Sequence, residues 1–300
     1  MTFQMNKVTL ILAMAMTLAA PATLARPDRD QKMDTSLLQR QDLAYRFHYF
    51  DLDSFDGQRH YRLWVGKPER PAPLAGYPVL WMLDGNAAIG ALDPELLKQL
   101  SAGQAPLLVA VGYQTDQRIE RSSRTYDYTP TIPGQTPQLD PLTGQPSGGV
   151  DEFFELLRHR MRPIIERSVP IDLTRQTLWG HSYGALAVLH ALFNHPAEFS
   201  DYVAASPSLW WHEGAILSEA AGLQQRLGNS RPRLLLLRGD REPTAPGCQT
   251  GDDGVRQART LAMDLAKIPS VQVRFEQFIG LGHGQMLPAS LHTVIESMSK

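Results

Sequence analysis

Four short apolar segments constrain the fold of this chain most strongly. They are "YPVLWMLDG", "APLLVAVGY", "DYVAASPS" and "PRLLLLRGD". Strands that are apolar without two-residue alternation are typical of parallel sheets, whose strands are buried on both faces. Helical patterns, such as "YGALAVLHALFNH" and residues 253–267, lie between these segments. We therefore predict an α/β protein with a mostly parallel central sheet and helices on both faces.

Further elements extend this pattern towards both ends of the chain. The segments "YRFHYFDLDS" and "HYRLWVGKP" predict an antiparallel pair of strands joined near Asp56 and Gly57. Residues 92–101 are predicted to be helical, and "DEFFELLRHRMRPIIERS" predicts a helix that bends or ends at Pro163. The segments "QTLWG" and "VQVRFEQF" predict strands, and a final helix is expected from about residue 285.

Residues 129–149, "TPTIPGQTPQLDPLTGQPSGG", contain five prolines and four glycines and predict an irregular loop. A loop of this length inside a domain is usually functional or mobile. A linker between two domains is the alternative, but the strands on both sides look like parts of one sheet. We expect a single domain over residues 26–300, with this loop crossing the active-site face.

The N-terminal residues 1–25 resemble a secretory signal peptide. A lysine precedes an apolar segment of about a dozen residues, and small residues follow at Ala22 and Ala25. The apolar segment is shorter than the roughly 20 residues that span a bilayer. We expect cleavage near residues 22–25 and an exported protein, periplasmic or secreted, that makes no membrane contact afterwards.

Composition argues against several classes of function. The net charge is −2 and no run of Lys or Arg exceeds two residues, so the sequence does not indicate a nucleic-acid-binding protein. Cys248 is the only cysteine, which excludes intramolecular disulfides and cysteine-based structural zinc sites. Neither HExxH nor GxxxxGK[ST] is present, and we expect no cofactor and no metal.

The pentapeptide Gly180-His181-Ser182-Tyr183-Gly184 lies between a predicted strand and a predicted helix. This is the context of a nucleophile elbow, in which a strained turn exposes the serine. The small residues on either side would let the strand and the helix approach closely. Ser182 is therefore the candidate nucleophile, and a serine between two turn glycines is the alternative.

A serine hydroxyl needs a base to remove its proton. His283, in "GLGHGQM" after the last predicted strand, is the candidate, because the flanking glycines permit a tight turn that aims the imidazole at Ser182. The acid that orients this base should follow "PRLLLLRG". Asp240 and Glu242 lie there, with residues 252–253 further on, and this pattern leaves the choice open.

An oxyanion hole should combine the backbone N–H of Tyr183 with one from the loop after "VLWML", at Gly85 or Asn86. Two other histidines lie near the motif in sequence. His181 is expected to point away from the reacting atoms and to pack or hydrogen-bond, and His212 could line a pocket.

The blocks "VLWMLDGNA", "VAVGYQTDQRIERSSRTYDYTP", "GHSYGALAVLHALFNHPAEFSDYVAASPSLWW", "LLLLRGDRE" and "GHGQM" occur in this order over residues 40–297. Together they resemble the "Putative esterase" branch of the α/β-hydrolases, and within it the exported siderophore esterases that open enterobactin-type and salmochelin-type trilactones. The branch also includes S-formylglutathione hydrolases, mycolyltransferases and feruloyl esterases. The resemblance implies an α/β-hydrolase fold.

The resemblance also implies roles for individual residues. It gives Ser182 as nucleophile and His283 as base, and the match of "GDRE" to a GxRE pattern favours Glu242 over Asp240. Some periplasmic members are described as working with a Ser–His dyad, so the contribution of the acid stays open.

The block "RTYDYTP" resembles a segment beside the substrate cleft. Ferric tris-catecholate is trianionic and guanidinium groups suit anionic oxygens, so Arg118, Arg121 and Arg124 are candidate substrate contacts. Trp210, in "SPSLWW", is a candidate aromatic wall. Ordinary exposed arginines and a core tryptophan are the alternatives.

These observations lead to a serine esterase that hydrolyses the trilactone of a catecholate siderophore through an acyl-enzyme. Two alternatives remain at this point. One is an exported carboxylesterase for feruloyl or short acyl esters, and the other is a non-catalytic ligand-binding protein on a hydrolase scaffold.

Overall fold

The computed structural model describes residues 31–248 and 252–300, which contain one eight-stranded sheet. Its strands are β1 (Tyr45–Asp53), β2 (His60–Pro68), β3 (Tyr77–Met82), β4 (Leu107–Tyr113), β5 (Ile171–His181), β6 (Asp201–Ala205), β7 (Arg233–Gly239) and β8 (Gln272–Phe278). The spatial order is β1-β2-β4-β3-β5-β6-β7-β8. The two pairs that involve β2 are antiparallel and all other pairs are parallel. The predicted mostly parallel sheet is confirmed.

Among the described residues, nine α-helices lie between β3 and β8 and a tenth follows β8. They are α1 (Gly85–Ile89), α2 (Pro94–Ala102), α3 (Arg121–Asp127), α4 (Val150–Leu156), α5 (Arg162–Ser168), α6 (Tyr183–Asn194), α7 (Ala215–Glu219), α8 (Leu223–Arg226), α9 (Asp252–Leu265) and α10 (His283–Met298). A π-helical turn, Leu157–Met161, separates α4 from α5 immediately before Pro163. Because proline lacks the N–H of a regular helical turn, this interruption is where the sequence predicted it.

The two faces of the sheet carry separate apolar clusters, as β3 illustrates. All six residues of β3 are buried. Val79 and Trp81 pack in a cluster with residues of α4, α6 and α9, whereas Leu80 and Met82 pack in a second cluster with α1, α2 and α10. Alternate residues of a strand point to opposite faces, so a strand covered on both faces has to be apolar throughout. Helices on both faces were predicted and are confirmed.

The antiparallel pair at one edge also matches its prediction. β1 and β2 pair from Tyr45 opposite Pro68 to Asp53 opposite His60, and Gly57 in the connecting turn has φ = +70°. Within the described part of the chain, no helix combines the length and the apolar character that crossing a bilayer requires. The predicted signal peptide, residues 1–25, lies outside the described residues.

Residues 129–149 form neither a helix nor a strand, as predicted, but hydrogen bonds within the segment order it. Leu139 and Pro146 form an isolated β-bridge. The Gln138 side-chain oxygen accepts from the Ile132 N–H at 2.6 Å. The segment, called the 129–149 loop below, is therefore closed on itself by its own polar groups.

Candidate active site

Ser182 occupies the corner between β5 and α6 in a strained conformation. Its φ of 61° and ψ of −115° are unusual for a residue with a side chain, and its N–H donates to the Ala205 carbonyl at 3.0 Å. A Cβ on Gly180 would lie 2.4 Å from the Gly184 carbonyl oxygen. A Cβ on Gly184 would make an ordinary 3.4 Å contact with Leu83. The strand–turn–helix context of the elbow is thus present, and Gly180 is the glycine that close packing requires.

His283 lies beside this serine. The distance from His283 Nε2 to Ser182 Oγ is 3.0 Å. His283 is the first residue of α10, which begins two residues before the predicted start. Of the glycines around it, Gly280 supplies the positive φ of +79° that turns the chain after β8. The imidazole therefore projects from the first turn of a long helix rather than from a free loop.

The other ring nitrogen of His283 contacts a buried carboxylate. His283 Nδ1 lies 2.7 Å from Glu242 Oε2, and the Glu242 side chain is fully buried. Glu242 Oε1 accepts hydrogen bonds from Ser206 Oγ at 2.6 Å and from the Gly239 N–H at 2.7 Å. Burial opposes ionisation of this carboxylate, but the hydrogen bond and charge of His283 and the nearby Arg238 hold the pKa of Glu242 below its usual value.

Asp240, the alternative acid, has a different position. Its Oδ1 accepts a hydrogen bond from the Gly280 N–H at 2.7 Å, and the neighbouring Arg241 N–H donates to the Leu281 carbonyl at 3.1 Å. These bonds join the turn after β7 to the turn after β8. The structure thus brings Glu242, and not Asp240, to the imidazole.

His181 contacts His283. Its Nε2 lies 2.9 Å from the His283 carbonyl oxygen, and the two rings are 4.6 Å apart between centroids. Burial, and then the charge of His283, lower the pKa of His181 well below its usual value. A neutral imidazole can carry its proton on Nε2 and donate it to this carbonyl. The prediction that His181 is a hydrogen-bonding residue is confirmed.

Two helix N termini supply candidate oxyanion donors. Tyr183 begins α6 and Gly85 begins α1, and the first N–H groups of a helix have no acceptor within the helix. Asp84, which precedes Gly85, has φ = 51°. A Cβ on Gly85 would lie 2.6 Å from the backbone nitrogen of Gly112 in β4, so this loop packs directly against the sheet.

The side chain of Asn86 makes structural hydrogen bonds. Its Nδ2 donates to the carbonyls of Tyr113, Thr115 and Gln117 at 3.1–3.2 Å. Its Oδ1 accepts from the Tyr113 N–H at 3.1 Å. Any oxyanion contact from this residue would therefore come from its backbone N–H, while its side chain holds the chain that follows β4.

Arg124 forms a two-pronged ion pair with Asp84. Its Nε and Nη2 lie 2.7 Å and 2.8 Å from the two carboxylate oxygens, and both side chains are largely buried. The Asp84 N–H also donates to the Tyr128 hydroxyl at 3.1 Å. The structure thus places Arg124 against the loop that carries Gly85, where it holds Asp84 in its left-handed conformation.

The other candidate cleft residues, Arg118, Arg121 and Trp210, differ in burial and in their neighbours. Arg118 is partly buried. Burial lowers the pKa of its guanidinium group, although the negative charge of Asp84 acts in the opposite direction. Arg121 is the first residue of α3 and is partly exposed. Trp210 is partly buried, with its ring 6.2 Å from that of Tyr183.

The profile of the family described as "Putative esterase" matches residues 54–245, well over half of the chain. The chain belongs to this family. An apo-salmochelin esterase from Escherichia coli is 37% identical over 92% of this chain and 86% of its own length. A ferri-bacillibactin esterase from Bacillus subtilis is 32% identical over 79% of this chain and 84% of its own length.

Solved structures agree with the family assignment. The enterobactin hydrolase IroE in complex with DFP superposes with a TM-score of 0.73 at 36% identity, covering 88% of this chain and 99% of IroE. A BES protein from Bacillus cereus gives a TM-score of 0.74 at 26% identity, covering 87% of this chain and 99% of that protein. This esterase thus has the α/β-hydrolase fold that its sequence blocks implied.

Three polar residues near Ser182 in this esterase were missed by the sequence analysis. Ser206, with φ = 50°, donates to Glu242, and the buried Ser208 has its Oγ 3.4 Å from Ser182 Oγ. Asp140, in the 129–149 loop, accepts a hydrogen bond from the Tyr183 hydroxyl. The sequence offered a signal for the two serines, since "SPS" follows the apolar residues "YVAA" of a predicted strand, and it offered none for Asp140.

Proposed function

We propose that this esterase hydrolyses the ester bonds of a siderophore, with catecholate trilactones of the enterobactin type as its substrate class. The observation that carries the proposal is the continuous line from Ser182 Oγ through the His283 imidazole to Glu242, with distances of 3.0 Å and 2.7 Å. The names of the relatives, which specify salmochelin and bacillibactin, support the choice of substrate.

In the first half of the reaction, Ser182 Oγ attacks an ester carbonyl of the lactone ring. His283 Nε2 accepts the hydroxyl proton and then delivers it to the leaving alkoxide. An ester thereby forms between Ser182 and the acyl part of the substrate. The ionised Glu242 favours the required tautomer, with the proton on Nδ1, and stabilises the imidazolium that forms.

In the second half, water attacks the acyl-enzyme with His283 again acting as base, and the linear product leaves. Both halves pass through a tetrahedral oxyanion. The Tyr183 N–H and an N–H of Gly85 or Asn86 are the proposed donors to it. Because the Tyr183 N–H lies at the N terminus of the twelve-residue α6, the dipole of that helix adds to the stabilisation of negative charge.

The negative charge of a ferric catecholate favours a contact with an arginine side chain. In the described part of the chain, the Arg118 side chain makes no ion pair within 4.0 Å, whereas Arg124 is neutralised by Asp84. We therefore assign the contact with an anionic catecholate to Arg118 ahead of Arg124, and the aromatic wall to Trp210. Arg121 stays a candidate at the start of α3.

Export is part of the proposal. The lysine, apolar segment and small residues of 1–25 support a cleaved signal peptide and a periplasmic or secreted enzyme. Such a location fits an enzyme whose substrate is taken up from outside the cell.

The test compares wild type with Ser182→Ala on ferric enterobactin, with the linear products separated by chromatography. Linearisation should fall by at least about a thousandfold, because the nucleophile is lost. Ser218→Ala, which removes an exposed serine hydroxyl from α7, is the matched control and should keep wild-type activity. Unchanged linearisation by Ser182→Ala would contradict the proposal. Faster turnover of feruloyl or p-nitrophenyl esters than of ferric enterobactin would favour a different ester substrate.

A further inference from the structure

A carboxylate from the 129–149 loop reaches the nucleophile elbow. Asp140 is only 2% exposed. Its Oδ2 accepts hydrogen bonds from the Tyr183 hydroxyl at 2.7 Å and from Trp211 Nε1 at 2.9 Å. Tyr183 directly follows Ser182, and Trp211 directly follows Trp210, the proposed aromatic wall. One side chain thus joins the two segments that flank the nucleophile.

The other oxygen of this carboxylate is held by the loop itself. Asp140 Oδ1 accepts from the N–H and the hydroxyl of Thr143, both at 2.7 Å, and from the Leu142 N–H at 3.2 Å. A buried carboxylate is tolerated only where hydrogen bonds replace its lost water. Both oxygens meet that condition here, so Asp140 is a fixed anchor rather than a mobile surface charge.

The Tyr183 ring lies between this anchor and the active site. The Arg124 guanidinium is 5.4 Å and the Trp210 ring 6.2 Å from it. Burial, and then the negative charge of Asp140, raise the pKa of the Tyr183 phenol, which therefore stays protonated and donates its hydrogen bond. Holding the hydroxyl end of this side chain restrains the backbone at the other end, where α6 begins.

We propose that Asp140 is a positioning residue for ester hydrolysis. By holding the Tyr183 hydroxyl and the Trp211 indole, it fixes the Tyr183 N–H as an oxyanion donor and sets the distance between α6 and the Trp210 segment. This inference rests on the proposed function of Ser182. Preorganised donors stabilise a transition state because they need no rearrangement during the reaction, and small displacements of such groups are costly.

The test uses Asp140→Asn, which keeps the shape of the side chain. Asparagine replaces one carboxylate oxygen by an NH₂ group. That group can only donate, so it would face the hydrogen-bond donors that hold one of the two oxygens of Asp140. We expect kcat for p-nitrophenyl acetate to fall about ten- to hundredfold with KM within about twofold, because the oxyanion contact exists only in the transition state. Thr131→Val is the control. It removes an exposed hydroxyl of the same loop, which donates to the Gly148 carbonyl at 2.8 Å, and should keep kcat within about twofold of wild type.

A double-mutant cycle with Tyr183→Phe separates positioning from general destabilisation. If Asp140 acts through the Tyr183 hydroxyl, the double variant should be no slower than Asp140→Asn alone. Should Asp140→Asn fail to fold in thermal unfolding, Tyr183→Phe alone decides the question. It should then lower kcat at least about threefold, at unchanged KM.

Three outcomes would overturn the inference: a kcat for Asp140→Asn within twofold of wild type, an effect confined to KM, or single losses that multiply in the double variant. In the absence of a folded Asp140→Asn, a wild-type kcat for Tyr183→Phe would do the same. Failure of the proposed function has a different signature. It would appear in the wild type, as no ester turnover and no fluorophosphonate adduct on Ser182, and would remove both proposals together.

Discussion

The role of Glu242 gives the sharpest prediction, and Glu242→Gln is the change that tests it. Glu242 Oε1 already accepts two hydrogen bonds, from Ser206 and from the Gly239 N–H, so the amide oxygen of glutamine will occupy that position. The NH₂ group must then face His283 Nδ1, where Oε2 now lies at 2.7 Å. Because that group can only donate, His283 has to accept at Nδ1 and carry its proton on Nε2, towards Ser182.

An imidazole in this tautomer cannot remove the serine proton. In a serine protease triad, the equivalent acid-to-amide change lowers kcat by about 10⁴. We expect a fall of about 10³ to 10⁴ in kcat here, which corresponds to roughly 4–5.5 kcal/mol of lost transition-state stabilisation. KM should change little, since Glu242 is fully buried behind His283 and does not face the cleft.

The assay is steady-state hydrolysis of a p-nitrophenyl ester and of ferric enterobactin, with thermal unfolding to show that the variant is folded at the assay temperature. Arg238 lies 3.6 Å from Glu242, so some loss of stability is expected when the charge is removed. Asp240→Asn is the matched control, because it removes a carboxylate two residues away that contacts the Gly280 N–H, and its kcat should stay within about threefold of wild type. A kcat for Glu242→Gln within tenfold of wild type would refute the reasoning and favour a Ser–His dyad.

Two further predictions concern stability. His190 lies between Asp151 and Glu219; burial lowers its pKa, but the hydrogen bonds and charges of these carboxylates outweigh burial and raise it from 6.5 to about 9. Because the folded-state value exceeds the unfolded one, this group contributes up to about 3 kcal/mol below pH 6.5 and loses it as the pH rises through 9. Urea unfolding should show wild type losing more stability than His190→Gln between pH 6.5 and 9.5, and parallel losses would rule this out. Gly180→Ala places a methyl group 2.4 Å from the Gly184 carbonyl oxygen and should lower the free energy of unfolding by about 1–3 kcal/mol. Gly184→Ala should lower it by less than about 1 kcal/mol, because its methyl group would make an ordinary contact. Equal urea midpoints for the two variants would contradict the packing argument.

The sequence predicted those features that depend on local pattern. Continuous apolar strands gave the parallel sheet, and a strand, Gly-x-Ser-x-Gly and a helix in succession located Ser182. His283 could be selected because it follows the last strand, and the carboxyl ends of parallel strands meet at one edge of a sheet. Even so, its position in the first turn of α10, which orients the ring, was not predicted.

Contacts between distant residues could not be predicted in this way. Asp240 and Glu242 both follow β7, so their positions in the sequence do not distinguish them. Asp240 bonds the Gly280 N–H in the turn after β8, and Glu242 is the acid that reaches the His283 imidazole. Arg124 pairs with Asp84, which lies 40 residues earlier, so an arginine chosen as a substrate contact is in fact neutralised by a buried carboxylate. The partners of Asp140 lie 43 and 71 residues further along the chain, and nothing local distinguishes it from a solvated loop acid.

The separation between Ser182 and His283 also bears on how the protein folds. The hydrogen bond between them spans 101 residues, and His181 reaches the His283 carbonyl across 102. Contacts of such sequence separation form late, because the entropy of closing the intervening chain has to be met first. The elbow itself can form as soon as β5 and α6 pack together, but its serine acquires a base only when β8 and α10 dock. During refolding, fluorophosphonate reactivity should therefore rise only as α10 docks, together with the burial of Trp179, whose indole N–H donates to Ser290 Oγ in α10, and the enzyme reports the completion of its own folding.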